Sequence, residues 1–204
     1  MSHEIRPLRD ADCGAVATID AAARVGSFLP RLGVPFLTTL YRALLRTGAT
    51  SSFVCEDSAR ILGFVVGCRD TRTAFRRALV RAVVPLGLKA ALRCVTEPAL
   101  IPLVLQTLTY PRQAKTDGAE LLVISVDPKH HGGGVGKALV AALNRAFAAD
   151  GITRYHVTVR AVLDNSNAFY RRLQFRPDGE VRMYGEVWNR YEYRLAPEWV
   201  SERR

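Results

Sequence analysis

Apolar residues in this chain fall into short runs with strand or helix spacing, separated by turn residues. Ile5 to Arg9 reads as a short strand. A helix capped by Asp10 and running through Ala22 follows, with Cys13, Val16, Ala17 and Ile19 on one face. Phe36, Leu37, Leu40, Leu44 and Leu45 predict a second helix from Pro35 to Arg46. Ser52 to Glu56 and Ile61 to Cys68 are β-rich runs joined by Asp57-Ser58-Ala59-Arg60, a hairpin pattern. Glu120 to Val126 is a continuous apolar run of the kind a buried strand carries. After a glycine-dense turn, a helix is predicted from Gly134 to Ala149. A strand over Tyr155 to Arg160, a short helix from Asn165 to Leu173 and strands over Phe175 to Arg182 and Trp188 to Leu195 complete the series.

Thr71 to Gly118 breaks the rhythm. It is too long for a plain loop, so it needs structure of its own. Phe75, Leu79, Ala82, Val83 and Leu86 recur at helical spacing, while Pro85, Pro98 and Pro102 should divide the segment into two or three short helices.

Composition adds the domain size and a charge anomaly. The 204 residues are 49% hydrophobic and 24% charged, which suits one domain with a full core and excludes disordered or low-complexity classes. Lys and Arg number 29 against 19 Asp and Glu, a net charge of +10. The segment Thr71–Gly118 holds eight of those cations against Glu97 and Asp117, so it carries more than half of the excess. Such a balance implies an anionic partner: nucleic acid, acidic lipid or a phosphorylated ligand. Cys13, Cys55, Cys68 and Cys94 form no C-x-x-C pair, so reduced thiols in a cytoplasmic protein are expected, with no metal site. Met1 to Asp12 is polar and charged and offers no signal peptide. The run Pro98–Pro111 is too short and too interrupted to span a membrane.

The chemistry concentrates in Val126-Asp127-Pro128-Lys129-His130-His131-Gly132-Gly133-Gly134-Val135-Gly136-Lys137. A buried strand enters a glycine-rich turn that opens a helix, so backbone N–H groups and the helix dipole can converge on a phosphate. A Walker loop fails, because His131 stands where its first Gly belongs and Ala138 where its Ser or Thr belongs. The dinucleotide fingerprint fails too, with Leu139 in place of its third Gly. His131-Gly132-Gly133-Gly134-Val135-Gly136 instead resembles the coenzyme A pyrophosphate loop of the GCN5-related N-acetyltransferase (GNAT) superfamily, with His131 where Gln or Arg is usual. Downstream, Ser166-Asn167-Ala168-Phe169-Tyr170-Arg171-Arg172-Leu173-Gln174-Phe175 resembles the family's Asn- and Tyr-bearing helix. Gln174 replaces the usual Gly, so a left-handed turn is not required there. The opening Ile5–Asp12 and the hairpin ending Leu62-Gly63-Phe64-Val65 are also similar to the family. Only Thr71–Gly118 lies outside the resemblance.

The resemblance implies an α/β (α+β) fold in a single domain over residues 1–204. Its central sheet would be mixed but mostly antiparallel, with six to seven strands flanked by helices, and the basic helical insertion would lie between strands 3 and 4. It implies acetyl-CoA as acyl donor and direct attack on the thioester by a primary amine. Ile124, Ser125 and Val126 would line the pantetheine arm. His131, Gly132, Gly133, Gly134, Val135, Gly136 and Lys137 would hold the pyrophosphate, with Asn165, Asn167 and Tyr170 adding contacts. Tyr170 would protonate the departing thiolate. Glu120, at the start of the central strand, is the candidate base, with Glu56 or water as alternatives. Direct attack needs no Ser or Cys nucleophile, which agrees with the absence of a Gly-x-Ser-x-Gly elbow.

The insertion borders the expected acceptor cleft. Its arginines could wall an anionic acceptor such as an amino sugar, meet an anionic membrane peripherally, or form a solvated basic face. A homodimer stays open. Two other readings remain: a CoA-binding regulator without activity, and a basic nucleic-acid-binding protein. Against the latter, no recognition-helix or RNA-binding signature is present, so no nucleic acid is expected.

Overall fold

The computed structural model describes residues 3–106 and 118–196. Its strands are β1 (Glu4–Pro7), β2 (Thr50–Asp57), β3 (Arg60–Cys68), β4 (Ala119–Val126), β5 (Arg154–Arg160), β6 (Arg176–Met183) and β7 (Glu186–Arg194). Among the described residues they form one seven-stranded sheet in the order β1-β2-β3-β4-β5-β7-β6. Every neighbouring pair is antiparallel except β4 and β5. The predicted mixed, mostly antiparallel sheet is therefore present.

Helices cover both faces. On one side α1 (Cys13–Ala23), α2 (Phe28–Arg31), α3 (Val34–Arg46) and α4 (Thr71–Thr96) close a core around Val16, Leu37, Leu40, Val54 and Phe64. On the other, α5 (Val135–Ala149) and α6 (Asp164–Arg172) pack with Leu121, Tyr155, Val157 and Tyr191. The short helix α2 has no counterpart in the sequence reading, because four residues give no usable periodicity. Asp10 is not a cap. A turn of 3-10 helix from Asp10 to Asp12 precedes α1, the Asp12 carboxylate accepts the Arg9 N–H at 2.7 Å, and Asp10 pairs with Arg42 and Arg46 of α3.

Two turns take left-handed backbone without glycine. Ser58 and Ala59 have φ of 49° and 65°, the conformation of a two-residue hairpin turn whose twist matches the strands it joins. Gln174, with φ of 67°, turns left-handed after α6, contrary to the expectation that losing Gly would relax that requirement. The bonds Gln174 N–H to Arg171 O and Phe175 N–H to Tyr170 O close the helix end and impose the conformation.

The insertion starts as one long helix. α4 kinks at Ala82, where φ is −129°, three residues before Pro85, whose ring excludes a regular turn. Pro98 then opens a 3-10 turn over Pro98–Leu100, and 101–106 is helical. The buried face of α4 is Thr71, Ala74, Ala78, Ala82, Leu86 and Ala90. Val83, placed in the apolar stripe by spacing, is exposed instead. A row of alanines lets α4 lie close on α3, and two arginines fasten it, one to α3 and one to α2. Arg81 donates to the carbonyl of Arg46 at the end of α3, and Arg93 Nε to that of Arg31 at the end of α2, at 2.9 Å. Both cations sit at helix C-termini, where unpaired carbonyls and the helix dipole favour them. Part of the insertion's charge is therefore committed to the fold. Residues 107–117 of the insertion lie outside the described residues.

Candidate active site

β4 and β5 pair only at Ala119 with Tyr155 and Glu120 with His156, and then separate. β4 continues to Val126 and β5 to Arg160, so the backbone of each beyond the fork faces a wedge. A second irregularity aims β4. Val66 pairs with Val123 and Gly67 with Leu121, so Leu122 bulges out of the ladder. The bulge flips the alternation, which puts Glu120, Val123 and Ser125 on the α1 side and Leu121, Ile124 and Val126 toward α5.

The wedge opens into a cleft of about 900 Å³. Its floor is residues 121–126 of β4 and 157–160 of β5. One wall is the end of α1 and the segment after it, from Ala23 to Ser27. The other is the glycine loop and α6, from Leu163 to Leu173, with Trp188 of β7. Among the described residues the lining holds no carboxylate, but it includes Arg24, Lys137, Arg160 and Arg172.

The loop is built for close approach. Gly134, at φ 79°, is the N-cap of α5 in left-handed backbone that an L side chain resists. The first bond into the helix runs from the Ala138 N–H to Gly134 O, so the N–H groups of Val135, Gly136 and Lys137 point out of the helix end. At Gly136 a Cβ would lie 3.1 Å from Cζ of Phe169, so glycine is what lets α5 and α6 meet at the cleft mouth. His131 donates from Nε2 to the Val126 carbonyl at 3.0 Å and thereby ties the loop to the end of β4. Asp127 caps the intervening turn by accepting the Lys129 N–H at 3.0 Å. That bond, helped by Arg60, holds its carboxyl below the usual range.

Tyr170 is 5% exposed, yet it lines the cleft. Its ring lies against Phe169, Phe175 and Tyr191. Burial pushes its phenol well above the usual value, while the nearby Arg24 guanidinium opposes that rise. Glu120 sits at the fork. Its carboxylate is buried and accepts from Thr71 Oγ1 at 2.5 Å and from Thr158 Oγ1 at 3.1 Å. Desolvation raises its pKa, and the two hydroxyls pull the other way. Glu120 does not line the cleft, but Thr158 does. The carboxylate is therefore one hydroxyl removed from the floor. Glu56 is held by Arg6 at 2.6 Å, in the β1–β2 pair, away from the cleft.

Ile124, Ser125, Val126, His131, Gly132, Gly134, Val135, Gly136, Lys137 and Asn165 all line the cleft. Gly133, within the same turn, is not among its walls. Asn167 is directed elsewhere. Its amide nitrogen donates to the carbonyls of Arg160, Ala161 and Leu163, and its oxygen accepts from Asn189 and Tyr191. It holds the start of α6 to β5 and β7. No α4 residue lines the cleft, whereas Arg24 does.

The sequence reading missed Asp20. Fully buried, it accepts from Tyr41 at 2.6 Å, Ser125 at 2.9 Å and from Nε and Nη2 of Arg24. A signal was available, since Cys13, Val16, Ala17 and Asp20 share one helical face and the last is an acid among apolar neighbours. Thr71 and Thr158 carry no such signal, because their role depends on Glu120 meeting both across the sheet.

The model of the acetyltransferase (GNAT) family matches residues 25–175. The chain belongs to that family, which makes it an N-acetyltransferase. No curated protein sequence matches it. Among solved structures it is similar to Ard1 from Thermoplasma volcanium at TM-score 0.62 and 15% identity, covering 96% of this chain and 99% of that one. The ribosomal-protein-S18-alanine N-acetyltransferase from Escherichia coli gives TM-score 0.61 at 15% identity, covering 96% and 95%. The PaiA N-acetyltransferase from Thermoplasma acidophilum, in complex with coenzyme A, gives 0.61 at 12%, covering 95% and 100%. At these identities the likeness is one of fold. Among the described residues, no helix is long and apolar enough to cross a membrane.

Proposed function

We propose that the protein transfers the acetyl group of acetyl-CoA to a primary amine that carries negative charge. The observation behind this reading is the wedge between β4 and β5, with a glycine loop at one end and a buried tyrosine on its wall. The residues fit the co-substrate. The N–H groups of Val135, Gly136 and Lys137 at the α5 N-terminus suit a pyrophosphate, and the edge from Ile124 to Val126, which β5 leaves free and where only the Val126 carbonyl is held by His131, suits an amide-bearing arm. Bound acetyl-CoA supplies a thioester carbonyl open to direct attack by an amine.

The protein's own groups then manage two protons. Tyr170 is neutral across the physiological range and lines the cleft, which suits its O–H to donate to a departing sulfur. Arg24 makes that O–H more acidic than burial alone would leave it. Glu120, acting through the Thr158 hydroxyl, accepts the proton an attacking amine sheds. Each positioned transfer contributes roughly two to four powers of ten in rate. The carboxylate-free, arginine-bearing lining favours an acceptor that is itself anionic.

The test is a thermal melt with acetyl-CoA and with CoA, followed by thiol release over a panel of amines with and without a carboxylate or phosphate. Stabilisation by acetyl-CoA with release on anionic amines is expected. No stabilisation by either species sinks the reading. Stabilisation without release on any amine identifies a binder rather than a catalyst.

A further inference from the structure

The most unusual surface lies outside the cleft, on α4. Ordinarily a helix that buries one face turns a polar face to water. Here Val80, Val84, Leu88, Leu92 and Val95 are 74%, 75%, 70%, 70% and 79% exposed. They follow one another at helical spacing, with Val83 beside them, on the side away from the buried Leu86 and Ala90. The helix is apolar on both sides in its second half. In its first two turns the outer surface carries Arg76 and Arg77. On the outer face the arginines Arg76 and Arg77 therefore lead, and the apolar row from Val80 to Val95 follows along the axis, with Lys89 and Arg93 off that row. From Thr71 to Thr96 there is no acid at all.

Contiguous exposed apolar surface marks a contact with another phase or molecule. We infer that the outer face of α4 docks on an anionic lipid bilayer, with Val84, Leu88 and Leu92 entering the acyl boundary and Arg76 and Arg77 meeting the headgroups. Charge complementarity selects this occupant. A bilayer with acidic headgroups offers negative charge and apolar volume side by side, which is what the two halves of the helix require. A second copy of the chain would offer the same acid-free face and no negative charge to meet Arg76 and Arg77. The helix would lie on the surface and not cross it, in keeping with its charges. This inference rests on α4 alone and does not depend on the acetyl-transfer reading.

The experiment is co-sedimentation of the full chain with phosphatidylglycerol-containing vesicles and with pure phosphatidylcholine vesicles, at low and high salt. The chain should pellet with the first, not the second, and salt should weaken the binding. Combining Val84→Asp, Leu88→Asp and Leu92→Asp should abolish pelleting. Arg76→Glu with Arg77→Glu should lower the partition coefficient by more than about tenfold. All five positions are exposed, so each variant should keep its melting temperature, which certifies the fold. A chain that stays in the supernatant with phosphatidylglycerol at low salt overturns the inference, as does equal pelleting by both lipids. A free chain that sediments as a dimer, and becomes monomeric with the triple substitution, assigns the face to a second copy and overturns it equally.

Discussion

The Ser125 hydroxyl donates to Asp20 at 2.9 Å, joining the strand at the floor of the cleft to the first helix across 105 residues of sequence. Through the same carboxylate Tyr41 of α3 and Arg24 at the cleft wall are also fixed. One buried acid therefore sets the distance between the wall and the floor.

Removing that acid leaves a half-buried guanidinium, a phenol and a hydroxyl without their common acceptor. Asp20→Ala is expected to cost about 3–5 kcal/mol, as breaking a buried ion pair does, and to lower the Tm by on the order of 10 °C. Ser125→Ala removes one bond and should cost only about 1 kcal/mol. Thermal unfolding followed by circular dichroism measures both, and equal losses would contradict the central place of Asp20.

Tyr170→Phe keeps the ring contacts with Phe175 and Tyr191 and deletes only the O–H. The turnover rate should fall by about 10²- to 10⁴-fold, with acetyl-CoA affinity nearly unchanged. Thiol-release kinetics together with titration calorimetry separate the two quantities. A full rate in the variant, under conditions where chemistry limits, removes Tyr170 from the reaction.

Glu120 makes a signed prediction about pH. Burial raises its pKa in the folded chain above the unfolded value, so its contribution to stability is fully present below the unfolded pKa and is lost as pH rises through the folded one. Glu120→Gln cannot ionise. Its melting temperature relative to the parent should therefore climb as pH rises from acid to neutral. Activity should move oppositely: the parent's kcat/KM falls as pH drops through the raised value, and the variant should be slow and lack that acidic limb. Melts and rate profiles over the same buffers check both signs.

Thr158→Val tests the link between Glu120 and the cleft. The Thr158 hydroxyl lowers the Glu120 pKa, so its removal should shift the acidic limb of kcat/KM to higher pH as well as reduce the rate. An unmoved limb would mean that the hydroxyl packs against the carboxylate without tuning it.

Gly136→Ala pushes a methyl against the Phe169 ring, with Cβ 3.1 Å from Cζ. Forcing that contact should cost about 1–3 kcal/mol and raise the KM for acetyl-CoA, because both residues line the cleft. Phe169→Leu in the same chain should restore much of the loss. A double-mutant cycle on Tm and KM reads the coupling.

How far the sequence reached depends on the range of the interactions involved. The strands, the hairpin turn and the α5 loop were legible because each rests on local spacing or on glycines adjacent in the chain. The Glu120 environment was not. It needs Thr71 and Thr158, 49 residues before and 38 after, brought together by strand pairing and by the start of α4. The Leu122 bulge that sets which side chains face α1 leaves no mark in an unbroken apolar run. In α4 the pattern misled for a different reason. Ala74, Ala78 and Ala90 complete the buried row beside the predicted Ala82 and Leu86, while Val83 faces out, so a reading weighted by side-chain size passed over the alanines and misplaced one valine.

The fork between β4 and β5 has a consequence for the sheet itself. Past Glu120 the facing edges of the two strands present carbonyls and N–H groups that, among the described residues, no strand takes up. An extended molecule with amides of its own, laid in that gap, would stand in for the missing strand and make the ladder continuous. On this view the co-substrate is a removable piece of the architecture. The enzyme would pass through a completed and an interrupted sheet once in every turnover, and amide hydrogen exchange at Ile124 to Val126 would slow when the piece is in place.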